Sequence, residues 1–170
     1  TNTFGANRYK LSEYGLNDKV TEINHTAAQI ARRVADGASQ TVFVAGSVGS
    51  LGTRMRPYGR ITEDDMRAAF REQMTALVEG KIDVFLLETF TDHHEMLIAL
   101  ETAKSVAPEI PVICSMTFAQ DDRTLLGFTP ARVAHELHRA GADVIVSRRL
   151  PGPLSSVLVT TCVAARSGGS

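Results

Sequence analysis

The segment Asp83-Val84-Phe85-Leu86-Leu87-Glu88-Thr89-Phe90 decides the fold of this chain. Four consecutive apolar residues between two carboxylates are typical of a strand that is buried in a parallel sheet. Asp92 follows, and Glu95 stands three residues later, which is an N-cap signature for a helix. Glu88 therefore lies between the carboxyl end of a strand and the start of a helix, the edge at which α/β proteins bind ligands. From position alone, a substrate contact and an ordinary salt bridge in a loop are equally expected.

The same alternation of apolar strand and capped helix continues on both sides of this segment. Helices are predicted from Asn17 or Asp18 to Gly37, from Thr62 to Gly80, from Asp92 to Val106 and from Thr129 to Gly141. Strands are predicted at 41–45, 83–90, 111–116 and 142–146, and residues 1–4 are interpreted as the tail of another strand. The pattern predicts an α/β fold with a parallel sheet, and both a (β/α)₈ barrel and a doubly wound sheet fit it.

The first long helix has an apolar stripe with helical spacing, which predicts its buried face. That stripe consists of Val20, Ile23, Ala27, Ile30, Ala31 and Val34.

Composition excludes several classes of protein. The chain has 170 residues, 44% of them hydrophobic and 22% charged, which is typical of one globular domain. A net charge of -1 gives no electrostatic case for binding nucleic acid or an anionic membrane. No apolar run approaches the roughly 20 residues of a membrane helix, and the N-terminus lacks a signal-peptide pattern. The two cysteines, Cys114 and Cys162, form no disulfide framework, so a cytoplasmic protein is expected.

A glycine-rich segment, Gly46 to Gly52, superficially resembles a dinucleotide-binding fingerprint. The following helix starts only at Thr62, so no helix N-terminus follows the glycines directly, and nucleotide binding is the weaker interpretation. A Schiff-base enzyme is also disfavoured, because Lys81 and Lys104 flank strands at the wrong ends.

The histidines and a late arginine pair are weak candidates for ligand binding. Adjacent side chains, such as His93 and His94, point in different directions on a helix. His135 and His138 are three residues apart, but no carboxylate or cysteine partner accompanies them, so all four are predicted to be surface histidines. The pair Arg148-Arg149 at the end of the last strand is compatible with an anion site or with a solvated loop.

Five segments in order carry a resemblance to a known family. They are T-N-T-F-G-A-N-R-Y-K-L at 1–11, V-A-G-S-V-G at 44–49, L-L-E-T-F at 86–90, M-T-F at 116–118 and G-A-D-V at 141–144. Together they closely resemble the homocysteine S-methyltransferase family. The likeness is to the bacterial domain fused to a methylenetetrahydrofolate reductase and to the N-terminal module of cobalamin-dependent methionine synthase. It covers residues 1–146.

The resemblance implies a (β/α)₈ barrel that binds homocysteine and one zinc ion at the carboxyl ends of its strands. Three cysteine thiolates hold the zinc, which delivers the homocysteine sulfur as a thiolate to an activated methyl group. Glu88 matches the glutamate that holds the substrate's amino group, and Asn2, Ser47, Thr89 and Thr117 are further substrate-binding candidates. The methyl donor is left open between methylcobalamin, methyltetrahydrofolate by way of a cobalamin module, and S-methylmethionine.

This chain departs from the family pattern at the zinc ligands. Arg149 occupies the position of the first zinc cysteine, and a guanidinium cannot replace a thiolate. The late G-G-C-C-G-T motif that supplies the other two cysteines does not occur in the chain, and neither does the L-D-G segment of the first strand. We therefore expect no bound zinc and no methyltransferase activity from this chain alone.

The same departures predict roughly strands 2 to 6 of a barrel. Residues 1–153 are assigned to the partial homocysteine-binding barrel, and residues 154–170 to a divergent, poorly ordered tail with a short apolar helix. A truncated or frame-shifted coding sequence is the expectation for this tail. Two alternatives stay open: a zinc-free remnant that binds an amino acid, and a half-barrel that self-associates or is completed by a partner chain.

Overall fold

A computed structural model describes residues 1–118, 123–124 and 126–149 and the backbone of 160–163. The helices are α1 (Arg8–Ser12), α2 (Val20–Asp36), α3 (Glu63–Glu79), α4 (His93–Val106) and α5 (Pro130–Arg139). The strands are β1 (Ala45–Val48), β2 (Val84–Phe90), β3 (Val112–Phe118), β4 (Val144–Arg149) and β5 (Thr160–Val163). None of the helices in this described part has the length and apolar character needed to cross a membrane.

The strands form one sheet in which spatial order follows chain order, β1-β2-β3-β4-β5. The pairs β1–β2, β2–β3 and β3–β4 are parallel, whereas β5 is antiparallel to β4. A doubly wound sheet reverses its strand order at a switch point, and β1 to β4 show no reversal. The prediction of an α/β fold with parallel strands and flanking helices is confirmed, and the order favours part of a barrel.

The core lies between the sheet and the helices. Phe85 and Leu87 of β2 and Cys114 of β3 point into it and are fully buried. Because side chains alternate along a strand, Leu86 and Ile113, which are register partners, lie on the opposite face and are half-buried. The sheet therefore has one sealed face and one partly open face.

At the amino edge of the sheet, two aspartates link each strand to the strand and helix that precede it. Asp83 Oδ2 accepts a hydrogen bond from the Val44 amide (2.6 Å) and pairs with Arg32 of α2. Asp143 repeats the arrangement between α4 and β3, where Lys104 Nζ lies 2.6 Å from its carboxylate. Each carboxylate, just before one strand, accepts a hydrogen bond from the amide at the start of the neighbouring strand, and this bond fixes the spacing of the two strands.

The prediction for α2 was wrong about both its cap and part of its buried face. The helix begins after Lys19, whose side chain makes no capping bond. Ile30 and Val34 are 50% and 73% exposed, and the buried positions are Val20, Asn24, Ala28 and Ala35. Packing against α3 decides which face of α2 is buried. The small Ala28 side chain of α2 fits closely against Gly80 at the end of α3, where an added Cβ would lie 2.5 Å from it.

Three other boundaries differ from the predictions. The short helix α1, capped by Asn7, was not predicted. Strand β1 starts at Ala45 rather than at the predicted Thr41, since its partner β2 begins only at Val84. Its residues Gly46 to Val48 belong to the glycine-rich segment, so part of that segment is strand. In the predicted tail, Thr160 to Val163 form a strand, and the remainder of 154–170 lies outside the described residues.

Candidate functional site

Glu88 lies near the carboxyl end of β2, half-buried. Ser47 of β1 donates its hydroxyl to Glu88 Oε1 at 2.5 Å. A hydrogen bond to an ionised acceptor is about twice as strong as a neutral one, so it holds the carboxylate in place. Across the described part of the chain, no other group bonds to Glu88, and its second oxygen is open to a ligand.

Ser47 is itself fixed by the N-terminal segment of the chain. Its amide donates to Thr1 Oγ1 (2.9 Å), and its carbonyl accepts from Thr3 Oγ1 (2.7 Å). The Thr3 carbonyl accepts from the buried Gln73 amide of α3 (2.7 Å). Residues 1–4 thus run beside β1, but they form no strand, so the predicted strand tail is not found. A chain of hydrogen bonds leads from α3 to the Glu88 carboxylate.

Thr89 occupies a strained backbone conformation directly after Glu88. Its φ is +62°, in the left-handed region that β-branched residues avoid. The register between β2 and β3 shifts at this point, between Leu87 and Phe90. Such strain costs of order 1–3 kcal/mol and is concentrated at functional sites. The irregularity exposes Thr89 at the sheet edge beside the carboxylate.

Thr117 contributes a buried polar atom to the same edge. It is 5% exposed, and its hydroxyl has no hydrogen-bond partner in the described part of the structure. An unsatisfied buried hydroxyl is costly, so a ligand or a water is its expected partner. Asn2 is exposed in the N-terminal segment, and no polar contact joins it to Glu88. Arg149 is the last residue of β4, opposite Phe118 of β3, and its side chain lies outside the described part.

Glu95 was predicted only as a capping residue, but it is buried, with 7% of its surface exposed. Asp92 caps α4 through the His94 amide, whereas Glu95 accepts from the Leu51 amide of the loop after β1 (2.7 Å). Burial raises the pKa of Glu95 to about 7. Only the tertiary fold brings this loop against α4, and a lone glutamate at the third position of a helix carries no sequence signal for that contact.

His93 corrects the prediction of surface histidines. It is 5% exposed, its ring packs 5.3 Å from that of Phe128, and its Nε2 lies 3.1 Å from a Glu136 carboxylate oxygen. Burial lowers the pKa of His93. The side chain joins the start of α4 to α5 beneath the edge of the sheet. His94, His135 and His138 are exposed, as predicted.

The described residues do not supply a zinc site. They contain no cluster of three histidine, cysteine, aspartate or glutamate side chains that could hold a metal ion. Cys114 is buried in the core, and burial raises the pKa of its thiol to about 12, so it is no thiolate ligand. The whole sequence has two cysteines, one fewer than a site of three thiolates requires. Among the described residues of this edge, no metal-binding set accompanies the Glu88 carboxylate.

The chain is similar in sequence to proteins of one known family. The family model described as homocysteine S-methyltransferase matches residues 1–148. Methionine synthase of Mycobacterium leprae (strain TN) is 29% identical over 160 residues, and that of Mycobacterium tuberculosis (strain ATCC 25618 / H37Rv) is 28% identical over 160. Each alignment covers 90% of this chain and 13% of the methionine synthase, so the chain spans a small part of these relatives.

Solved structures show the same fold. The homocysteine methyltransferase MmuM from Escherichia coli superposes in its metallated form with a TM-score of 0.67, and in its oxidised form with 0.64. Sequence identity is 23% in both cases. The alignment with the metallated form covers 83% of this chain and 53% of that chain. The described strands and helices therefore correspond to about half of a (β/α) barrel.

Proposed function

The chain belongs to the homocysteine S-methyltransferase family, and on that premise we propose that it forms the homocysteine-binding part of a methyltransferase barrel. The observation that carries the proposal is the half-buried carboxylate of Glu88, held by Ser47 at the carboxyl edge of the sheet. The ammonium of homocysteine binds this carboxylate in a charge-assisted hydrogen bond. The Thr117 hydroxyl, which has no partner in the described part, is a second candidate contact. Asn2 and Thr89, both exposed, are further candidates.

The reaction of the family domain is methylation of the homocysteine thiol to methionine. The sulfur forms a bond to the methyl carbon as the bond between that carbon and the donor breaks, and the electron pair leaves with the donor. At neutral pH the sulfur must first lose its proton, which a zinc ion promotes. The residues described here do not fit that ion, so we assign no step to it and propose that this chain alone binds homocysteine without methylating it.

Titration calorimetry with homocysteine tests the role of Glu88. Glu88→Gln removes the charge but keeps the shape, and it is expected to weaken binding about tenfold or more, since hydrogen bonds to charged groups contribute about 1.5–3 kcal/mol. Glu109→Gln is the matched control, because Glu109 is exposed beyond the opposite edge of the sheet. Equal affinities of the two variants would refute the assignment.

Added zinc separates binding from catalysis. We expect neither affinity for homocysteine nor turnover with methylcobalamin or methyltetrahydrofolate to rise when zinc is added to the chain. Zinc-dependent formation of methionine by the purified chain would contradict this part of the proposal. The matched methionine synthases are much longer than this chain, which supports a donor delivered by another module.

A second candidate function is that of a half-barrel completed by another polypeptide or by a second copy. The half-buried apolar residues Leu86, Ile113 and Val146, on the face of the sheet opposite Phe85 and Leu87, favour it, because a closed barrel would bury such side chains. Sedimentation analysis is expected to show association that depends on protein concentration. A monomer that unfolds cooperatively at all concentrations would contradict it.

A further inference from the structure

The loop between β1 and α3 presents three exposed arginines close together. Met55 and Ile61 pair across this loop in a parallel bridge, and the Arg60 amide donates to the Arg54 carbonyl at 3.1 Å. Ile61 is buried and Met55 packs against the core. The backbone bond between Arg60 and Arg54 brings these two residues close together, Arg56 follows the bridge residue Met55, and all three arginines are exposed.

The loop is braced rather than extended into solvent. A second bond runs from the Arg56 amide to the Ile61 carbonyl at 2.9 Å. At Gly59, an added Cβ would lie 1.7 Å from the Arg54 carbonyl oxygen, so only glycine permits this closure. The arginines are therefore held near one another, although like charges on neighbouring positions repel and destabilise the pairing.

Nearby acidic residues compensate this charge only in part. Asp65 interacts electrostatically with Arg56, but within the described residues no carboxylate lies within ion-pair distance of Arg54, Arg56 or Arg60. Asp65 is bonded to Thr62 as a capping residue, and Glu63 pairs with Arg67 at 2.7 Å. Closely spaced arginines without ion-pair partners are typical of a surface that binds carboxylates or phosphates.

The shape of the loop favours a polypeptide over a small anion. Small ligands occupy concave pockets lined by several elements, whereas this loop presents an exposed face. Tyr58, at its tip, is 81% exposed. Tyrosine and arginine are the residues that contribute most to protein–protein interfaces.

We propose that residues Arg54 to Arg60 form a docking surface for an acidic polypeptide segment. The arginines pair with carboxylates of the partner, and Tyr58 packs against its apolar side chains. The loop leaves β1 just after Ser47, so the docked segment lies at the same edge of the sheet as Glu88. This assignment does not depend on homocysteine binding.

Fluorescence anisotropy with a labelled peptide of four Glu-Glu-Leu repeats tests the proposal on the 170-residue chain. The triple variant Arg54→Gln, Arg56→Gln, Arg60→Gln is expected to bind the peptide at least about tenfold more weakly than the original chain. The control variant substitutes glutamine for three exposed helical arginines and changes the net charge equally. Those residues are Arg33, Arg71 and Arg139.

The outcomes are separable. Equal loss of affinity in both triple variants would show a nonspecific effect of net charge and overturn the proposal. Inorganic pyrophosphate that displaces the peptide at concentrations near the peptide's own Kd would show a small-anion site and would also overturn it. Tyr58→Ala is expected to weaken binding of the peptide several-fold, and an unchanged Kd would exclude the packing role of Tyr58. Melting temperatures confirm that the variants remain folded.

Discussion

Replacement of Glu95 by glutamine is expected to stabilise the protein at neutral pH although it removes a charged group. The Glu95 carboxylate is buried at the start of α4 and accepts one hydrogen bond, from the Leu51 amide. Glutamine has nearly the same shape and can accept the same bond through its carbonyl oxygen. The substitution therefore removes the cost of burying a charge while keeping the contact to the loop after β1.

The magnitude follows from the pKa of Glu95. Burial raises this pKa to about 7, against about 4.3 for a glutamate in an unfolded chain. Between these two values the native state keeps a proton that the unfolded state has released, so the free energy of unfolding falls as pH rises. The full difference corresponds to about 4 kcal/mol, lost between about pH 4.3 and 7 and absent from the glutamine variant.

Urea unfolding of both proteins at about pH 5 and pH 8 is the assay. Comparing the variant with the original chain cancels other titrations, notably that of His93, whose pKa is lowered by burial and whose contribution to stability rises with pH. Glu95→Gln should gain about 1–3 kcal/mol relative to the original chain at pH 8 and much less at pH 5. Glu109→Gln, an exposed control, should show no such change.

A stability difference between Glu95→Gln and the original chain that is the same at both pH values would refute the reasoning. A variant that is less stable at pH 8 would refute it as well, because it would mean that the charged form of Glu95 stabilises the fold.

Three further predictions concern single residues. Asp83→Asn should lower the free energy of unfolding by about 1–2 kcal/mol in urea titrations, since the charged acceptor for the Val44 amide and for Arg32 is lost. An unchanged free energy of unfolding would contradict a stabilising role of these two contacts. With Cys162 replaced by serine, Cys114 should react with a thiol reagent far more slowly in the native state than in urea, because its thiol is buried and its pKa is about 12; comparable rates would disprove its burial. Thr89→Gly should raise the free energy of unfolding by about 1 kcal/mol in urea titrations, because glycine relieves the strain of the φ of +62°. Thr89→Ala keeps the strain and should give no such gain, so equal effects of the two variants would contradict the strain.

Local signals predicted the elements whose causes lie within a few residues. The cap of α3 at Thr62 and the proline at the start of α5 were predicted because a capping bond spans three residues. The prediction of the buried face of α2 was wrong in part, because Ile30 and Val34 satisfy the helical pattern equally well whether or not another element covers them. Hydrophobic spacing shows that a face exists, and only its neighbours decide whether it is buried.

The candidate site was predictable in part for the same reason. Glu88 could be placed at the carboxyl edge because it follows an apolar strand, and that placement depends on the strand alone. Its bond to Ser47 could not be predicted, since the two residues are 41 positions apart and meet only through the β1–β2 pairing. The burial of His93 likewise depends on Phe128 and Glu136 of a later unit.

The amino-acid sequence by itself determined the alternation of strands and helices, the family and the shortage of cysteines for a zinc site. These follow from backbone sterics, from capping within one helical turn and from residue identity, none of which needs a distant contact. The tertiary structure alone decided that Ser47 holds Glu88, that Glu95 is buried with a raised pKa, and that three exposed arginines lie close together in one loop. Each of these depends on which distant segments pack together, because burial and pairing register are properties of the assembled sheet.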